Sequence, residues 1–145
     1  MSKIYVASSW RNNQYEDVLG ELLIAGHEIW DWRDPPTGTP PFRWQDIVPD
    51  YTHGHAMDTD QFLNVIEQPH AIEGFHADFK GMQWCDLGVL LLPAGRSAHI
   101  EAGWIRGQAK DLYIIRPDDQ EPDLMHKLTS AIFKDVNTLV RHLET

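Results

Sequence analysis

An unbroken apolar run, Leu87-Gly88-Val89-Leu90-Leu91-Leu92, stops at Pro93 and gives way to Ala94-Gly95-Arg96-Ser97. A periodic segment then opens, with Glu101 near its start. A strand apolar on both faces fits a sheet covered on both sides, and the turn after it fits a helix N-terminus. Such a junction lies at the carboxyl end of a strand, where open α/β sheets bind ligands.

The flanking sequence repeats this alternation. Ile4-Tyr5-Val6 ends at Ser8-Ser9 and reads as a first strand. Val18, Leu19, Leu22, Leu23 and Ala25 recur at helical spacing before a stop at Gly26, and residues 28–32 form a second strand. Strand, helix and strand within about 30 residues make a βαβ unit and hence a parallel sheet. Further on, residues 98–110 read as a helix, 112–115 as a fourth strand, 122–128 as a weak helix, 131–133 as a short fifth strand, and the segment with Val136, Leu139, Val140 and Leu143 as a terminal helix. The expected fold is one flavodoxin-like, doubly wound α/β domain over residues 1–145, with about five parallel strands in the order 2-1-3-4-5.

One stretch breaks the pattern. Residues 34–49 hold five of the nine prolines, so a long irregular loop is expected, held by packing of Phe42 and Trp44 rather than disordered. A short helix over 58–67 follows, then one starting near Pro69, for which Ile72, Phe75, Phe79 and Met82 suggest a buried stripe. Gly103 and Gly107, four apart, suggest a close approach to the sheet or to a partner helix.

Charge narrows the partners. With 22 acidic against 12 basic residues the formal net charge is −10, which argues against nucleic acid and anionic membranes. A small anion held by one or two arginines remains compatible. Cys85 is the only cysteine, so neither an intrachain disulfide nor a multi-cysteine zinc site is expected. No apolar run approaches the ~18 residues of a spanning helix and the amino terminus shows no signal pattern, so the expected location is cytoplasmic.

Glu101 leads the candidates for chemistry. In the first turn of a helix at the mouth of the sheet its ionised form is favoured, which suits a nucleophile, although the dipole alone also selects glutamate there. Asp78, on the helix before the central strand, belongs to an element antiparallel to the strands and can serve the same crevice; a solvated surface aspartate is the other reading, and Glu67 and Glu73 are rivals. Two carboxylates at one site are the usual equipment for cleaving a glycosidic bond. Ser8, Ser9, Trp10 and Arg11 follow the first strand, and Gly95, Arg96 and Ser97 follow the central one. In a 2-1-3-4-5 sheet these loops adjoin, and two arginines, several hydroxyls and a helix N-terminus make an anion cradle. Asp86, just before the apolar strand, reads first as a turn cap and second as a substrate ligand. His53, His55, Asp58 and Asp60, with His70 and His76, carry no zinc spacing such as H-E-x-x-H, and no metal is assigned. Cys85 reads as a small core residue.

The opening Lys3-Ile4-Tyr5-Val6-Ala7, the pair Asp78 and Asp86, and the junction Gly95-Arg96-Ser97-Ala98-His99-Ile100-Glu101-Ala102-Gly103 together resemble the nucleoside 2-deoxyribosyltransferase superfamily, which includes 2'-deoxynucleoside 5'-monophosphate N-glycosidases. The resemblance extends to about Ile115. It implies that Glu101 is the nucleophile at the anomeric carbon, that Tyr5 orients it, and that Asp78 protonates the base. It further implies a deoxyribosyl-enzyme intermediate, retained configuration, a nucleoside or nucleotide as substrate, no cofactor, and a homodimer or higher homo-oligomer. Two features depart from the transferase pattern. Gly95 stands where a sugar-binding acidic residue is usual, and an extended carboxyl terminus is not evident. Arg11, Arg96 and Ser97 suit a 5'-phosphate, so release of free base from a monophosphate is the alternative reaction. A non-catalytic nucleotide-binding module is the alternative of a different class.

Overall fold

The structure, a computed structural model, describes residues 1–52 and 54–145. His53, one of the loop histidines considered above, lies outside them. The chain divides into two compact units, residues 1–31 with 82–145, and residues 32–81.

The first unit holds all five strands: β1 (Lys3–Ala7), β2 (Glu28–Trp30), β3 (Leu87–Leu91), β4 (Asp111–Ile115) and β5 (Ala131–Phe133). They form one parallel sheet in the order β2-β1-β3-β4-β5, as the alternation of elements requires. β3 is buried at every position, in keeping with its unbroken apolar sequence and its place at the centre. The register sets Tyr5 of β1 beside Gly88 of β3, and Gly88 beside Leu112 of β4.

Helices α1 (Tyr15–Ile24), α4 (Arg96–Gly107) and α5 (Val136–Leu143) belong to this unit. Alternation along β4 sorts them onto two faces. Leu112 lies beside Gly88 beneath Ile105 of α4, whereas the next residue, Tyr113, meets His142 of α5 at a centroid distance of 5.3 Å. Successive strand residues point to opposite faces, so α4 and α5 cover opposite sides, and α1 packs against α5.

Gly88 explains how α4 comes down onto the sheet. A Cβ at Gly88 would stand 3.1 Å from two atoms of Ile105 and 3.2 Å from Leu112. The close approach expected at Gly103 and Gly107 is not where the helix meets the sheet: a Cβ at either would meet nothing within 4 Å. The glycine that matters sits on the strand, next to Tyr5.

The second unit, residues 32–81, contains the Pro-rich loop, α2 (Thr59–Ile66) and most of α3 (Pro69–Trp84). The loop is packed, as its aromatics suggest. Phe42 and Trp44 meet edge to face at 5.1 Å, Trp44 contacts Tyr51 and Phe62, and His70 Nε2 lies 2.8 Å from Asp46 Oδ2. That imidazole, followed by the Arg43 amide, holds the Asp46 carboxyl below its usual range.

The apolar stripe expected on α3 is a correction. Phe75 is 61% exposed and stacks on Phe79, and Ile72 is 38% exposed; of the four stripe residues only Met82 is buried. The buried face carries Gly74, Ala77 and Gly81, which let other groups approach the helix axis. A Cβ at Gly74 would lie 2.6 Å from Cβ of Phe42. Phe42 Cβ is fixed to its backbone, so it cannot swing aside as a side-chain tip would. Gly74→Ala is therefore expected to cost about 1–3 kcal/mol, read as a lower urea midpoint. An unchanged midpoint would mean that the loop backbone shifts freely.

Candidate active site

The loops that leave β1 and β3 are sewn together by side chains. Ser8 Oγ donates to the Leu91 carbonyl at 2.9 Å, and Asn12 Nδ2 donates to the Pro93 carbonyl at 3.1 Å. Asn12 is 2% exposed, and its Oδ1 accepts from the Gln14 amide at 2.9 Å. Gln14 is the N-cap of α1, and Asn12 ties the two loops. Its sequence signal was modest, since asparagine after a strand is ordinary turn chemistry. The junction of β1 and β3 at the carboxyl edge is thus a fixed structure, and the strand order reverses there.

Tyr5 is 1% exposed and directs its hydroxyl to α4, where it donates to Glu101 Oε2. The two residues are 96 positions apart in the chain. Strand parity puts Tyr5 on the α4 side and Gly88 beside it keeps that helix low, so the pair follows from sheet register. Glu101 is half-buried. It sits in the second turn of α4 rather than the first, because the helix begins at Arg96 with Gly95 as its N-cap. At that depth the helix dipole is weaker, and the hydrogen bond from Tyr5 supports the carboxylate's charge.

The start of α4 faces solvent. Gly95, Arg96 and Ser97 are exposed, the cap makes no side-chain hydrogen bond, and no acidic residue occupies the first turn. Gly95 is not demanded by packing or by backbone conformation: its φ is −88° and a Cβ there would meet nothing within 4 Å. In the loop after β1, Ser9 Oγ accepts from the Arg11 amide at 3.2 Å, Arg11 is exposed, and Trp10 is 36% exposed. Ser8, Ser9, Trp10 and Arg11 therefore occupy the loop at the β1 exit, and Gly95, Arg96 and Ser97 are the cap and first residues of α4 beyond the β3 exit.

Asp86 is placed elsewhere. It precedes β3, at the amino end of the strand, and its Oδ2 accepts from the Lys3 amide at 3.0 Å. It ties the starts of β1 and β3 together, a structural role of the kind read first for this residue.

Asp78 lies in the unit of residues 32–81, on α3, one helical turn after Gly74 and beside the buried Ala77. Burial alone pushes its carboxyl up from 3.8 to about 7. A carboxylic acid that keeps its proton near neutrality can donate it to a leaving group, as an ordinary surface aspartate cannot. Trp30 and Trp32 are buried, the Trp30 ring lies 5.6 Å from that of Trp84, and Phe42 and Trp44 belong to the loop cluster.

Cys85 is 2% exposed, with its thiol donating to the Met82 carbonyl and pushed up by burial, which suits a packed core residue. Of the loop residues weighed as metal ligands, Asp58 caps α2 by accepting from the Gln61 amide. A different trio, His99, Asp123 and His126, brings ligand atoms together among the described residues. No helix among those residues is long and apolar enough to cross a membrane.

No protein-family model matches the chain, and no curated protein matches it. Solved structures do. A 2-deoxyribosyltransferase from Bacillus psychrosaccharolyticus superposes with a TM-score of 0.59 at 20% identity, covering 95% of this chain and 90% of its own. A conserved protein of Enterococcus faecalis V583 gives 0.56 at 13% identity, covering 99% and 98%. The CMP N-glycosidase BcmB of Clostridium botulinum gives 0.49 at 14% identity, covering 98% and 97%. The first two likenesses extend the doubly wound α/β fold over nearly the whole chain.

Proposed function

We propose that this protein cleaves the N-glycosidic bond of a nucleoside or nucleotide by double displacement. The observation that carries the reading is the hydrogen bond from the buried Tyr5 hydroxyl to the half-buried Glu101 carboxylate at the carboxyl edge of the sheet. The raised pKa of Asp78 supports it, as does the fold shared with a 2-deoxyribosyltransferase.

In the first step Glu101 attacks the anomeric carbon. The bond from that carbon to the base nitrogen breaks, its electron pair stays with the base, and the base takes the proton of Asp78. In the second step a base nitrogen or a water oxygen attacks the same carbon. The ester bond to Glu101 breaks, the carboxylate is restored, and the proton of the acceptor returns to Asp78. Two inversions give net retention. Tyr5 holds Glu101 in line and spreads its charge. Tyr5→Phe is expected to lower kcat by about 10- to 100-fold with little change in KM, since it misplaces the nucleophile without touching the substrate. A KM effect alone would move Tyr5 to ground-state binding.

The acceptor and the substrate's phosphate separate two forms of this reading. The open start of α4, with Arg96 and Ser97 exposed and no acidic side chain in its first turn, favours a 5'-monophosphate; Arg11 adds a second cation. The test incubates the protein with deoxynucleosides and their monophosphates, with and without a free acceptor base, and identifies the products. Release of free base from monophosphates alone supports the hydrolase form, base exchange on unphosphorylated nucleosides supports the transferase form, and no cleavage of any substrate refutes both.

A homo-oligomer is part of the same proposal. Ile72 and Phe75, exposed on one side of α3, are the kind of surface a second copy covers. Sedimentation at assay concentration is expected to give a dimer or larger; a monomer contradicts it.

A further inference from the structure

We propose that His99, Asp123 and His126 form a binding site for one divalent transition-metal ion of the zinc class. The inference is independent of the glycosidic reading and concerns a different face of α4. His99 stands in the first turn of that helix, and Asp123 and His126 belong to the 3₁₀ turn Leu124–Leu128 and its N-cap. One ligand atom from each of the three lies within 4.8 Å of the other two.

The protonation pattern favours a metal. His99 Nδ1 lies 2.8 Å from the Gly95 carbonyl, which can only accept, so Nδ1 carries the proton and Nε2 presents a lone pair. This is how a backbone carbonyl orients a metal-bound imidazole from behind. That lone pair is aimed at Nε2 of His126, 3.0 Å away, with the rings nearly parallel. Two imidazole nitrogens on one tetrahedral ion at 2.0–2.1 Å stand roughly 3.3 Å apart, so this pair of rings needs an adjustment of only a few tenths of an ångström. His126 is 9% exposed, and its ring nitrogen faces that of His99.

Asp123 completes the set. One oxygen accepts from the Met125 amide at 2.9 Å as the cap of the 3₁₀ turn. Residues three apart eclipse each other in such a turn, which brings Asp123 and His126 to the same side. The trio borders a cavity of about 520 Å³ at the exits of β3 and β4, whose wall also carries Pro93, Gln120 and Glu121. Three protein ligands facing a cavity leave a fourth position for water or a small ligand. The ion would clamp the 124–128 turn to the start of α4, where Leu124, Met125 and Leu128 are otherwise mostly exposed.

The test uses the full chain, free of any tag and treated with a chelator. Zn²⁺ is added in a calorimetric titration and in thermal unfolding. One ion bound per chain and a higher Tm are expected, because a ligand that binds only the folded state stabilises it. His99→Ala and, separately, Asp123→Asn, which keeps a good N-cap, are expected to weaken Zn²⁺ binding by about 100-fold or more and to abolish the Tm shift, with unchanged circular dichroism without metal. His126→Gln is a third arm. No saturable uptake by the wild-type chain overturns the site. So does uptake that both His99→Ala and Asp123→Asn leave unchanged, which would assign the ion to other histidines.

Discussion

Glu101→Ala is expected to abolish glycosidic-bond cleavage, with a loss of about 10⁴-fold or more, since removing a covalent nucleophile eliminates the path rather than slowing it. The fold is expected to survive. Alanine is the best helix former, and α4 keeps its buried Ala98, Ala102 and Ile105. The cost is the hydrogen bond given up by the buried Tyr5 hydroxyl, about 1–2 kcal/mol. Glu101→Gln separates the two effects. Its amide oxygen can still accept from Tyr5, so stability returns toward wild type, yet a neutral amide is a poor nucleophile and turnover stays lost. Cleavage of model substrates and thermal unfolding of the three proteins check this. A glutamine variant turning over at near the wild-type rate would remove Glu101 from the chemistry.

The second large effect belongs to Asp78, and it has opposite signs for activity and stability. On the proposed mechanism Asp78→Asn removes the proton donor, and it is expected to slow cleavage by about 10²- to 10⁴-fold. On the same mechanism the protonated form of Asp78 is the active one, so kcat/KM is expected to fall as pH rises above about 7, and the variant to lose that alkaline limb. Stability follows from the same shift. Between pH 3.8 and about 7 the folded chain holds a proton on Asp78 that the unfolded chain has released. The folded state binds more protons there, so rising pH destabilises it across this window, and the full cost is present above the folded pKa. Asparagine cannot ionise and escapes the cost. Asp78→Asn is expected to be more stable than wild type at pH 8 by about 2–4 kcal/mol, and no more stable at pH 3. Urea unfolding of both proteins at the two pH values checks it. A variant less stable at pH 8 would mean that the ionised carboxylate is compensated in the folded chain.

A group kept at a cost in stability is the pattern expected of a functional residue. The same holds for the exposed, uncapped start of α4. Serine or aspartate at Gly95 would give the helix a side-chain cap, and space for one is open.

Much of the scaffold was legible in the sequence because burial on both faces leaves an unmistakable run. β3 and the short β5 fall where the apolar residues put them, and parallel order follows from the alternation of elements. α3 was misread for a physical reason. Its buried face is made of Gly74, Ala77 and Gly81, so the large apolar residues that normally mark the core point outward. Small residues buy close approach and carry no periodic signal.

The candidate site divides in the same way. The loops at the β1 and β3 exits followed from topology. The pairing of Tyr5 with Glu101 did not follow from spacing; it came with the family resemblance, and register with Gly88 supplies its physical cause. Asp86 precedes the apolar strand in the chain, and its bond to the Lys3 amide fits the structural role read first for it. The trio of His99, Asp123 and His126 was missed outright: His99 is 27 residues from His126, and only the sheet order brings α4 against the 124–128 turn. The spacing of Asp123 and His126, three apart at a 3₁₀ turn, was the one local hint.

The central claim is a glycosyl group carried on Glu101 between two displacements, and stereochemistry tests it most directly. Turnover of a β-configured substrate with methanol as the trapping acceptor fixes the anomer of the product, and NMR reads it. The account predicts retained β configuration. An inverted, α-configured product would mean a single displacement and would contradict it.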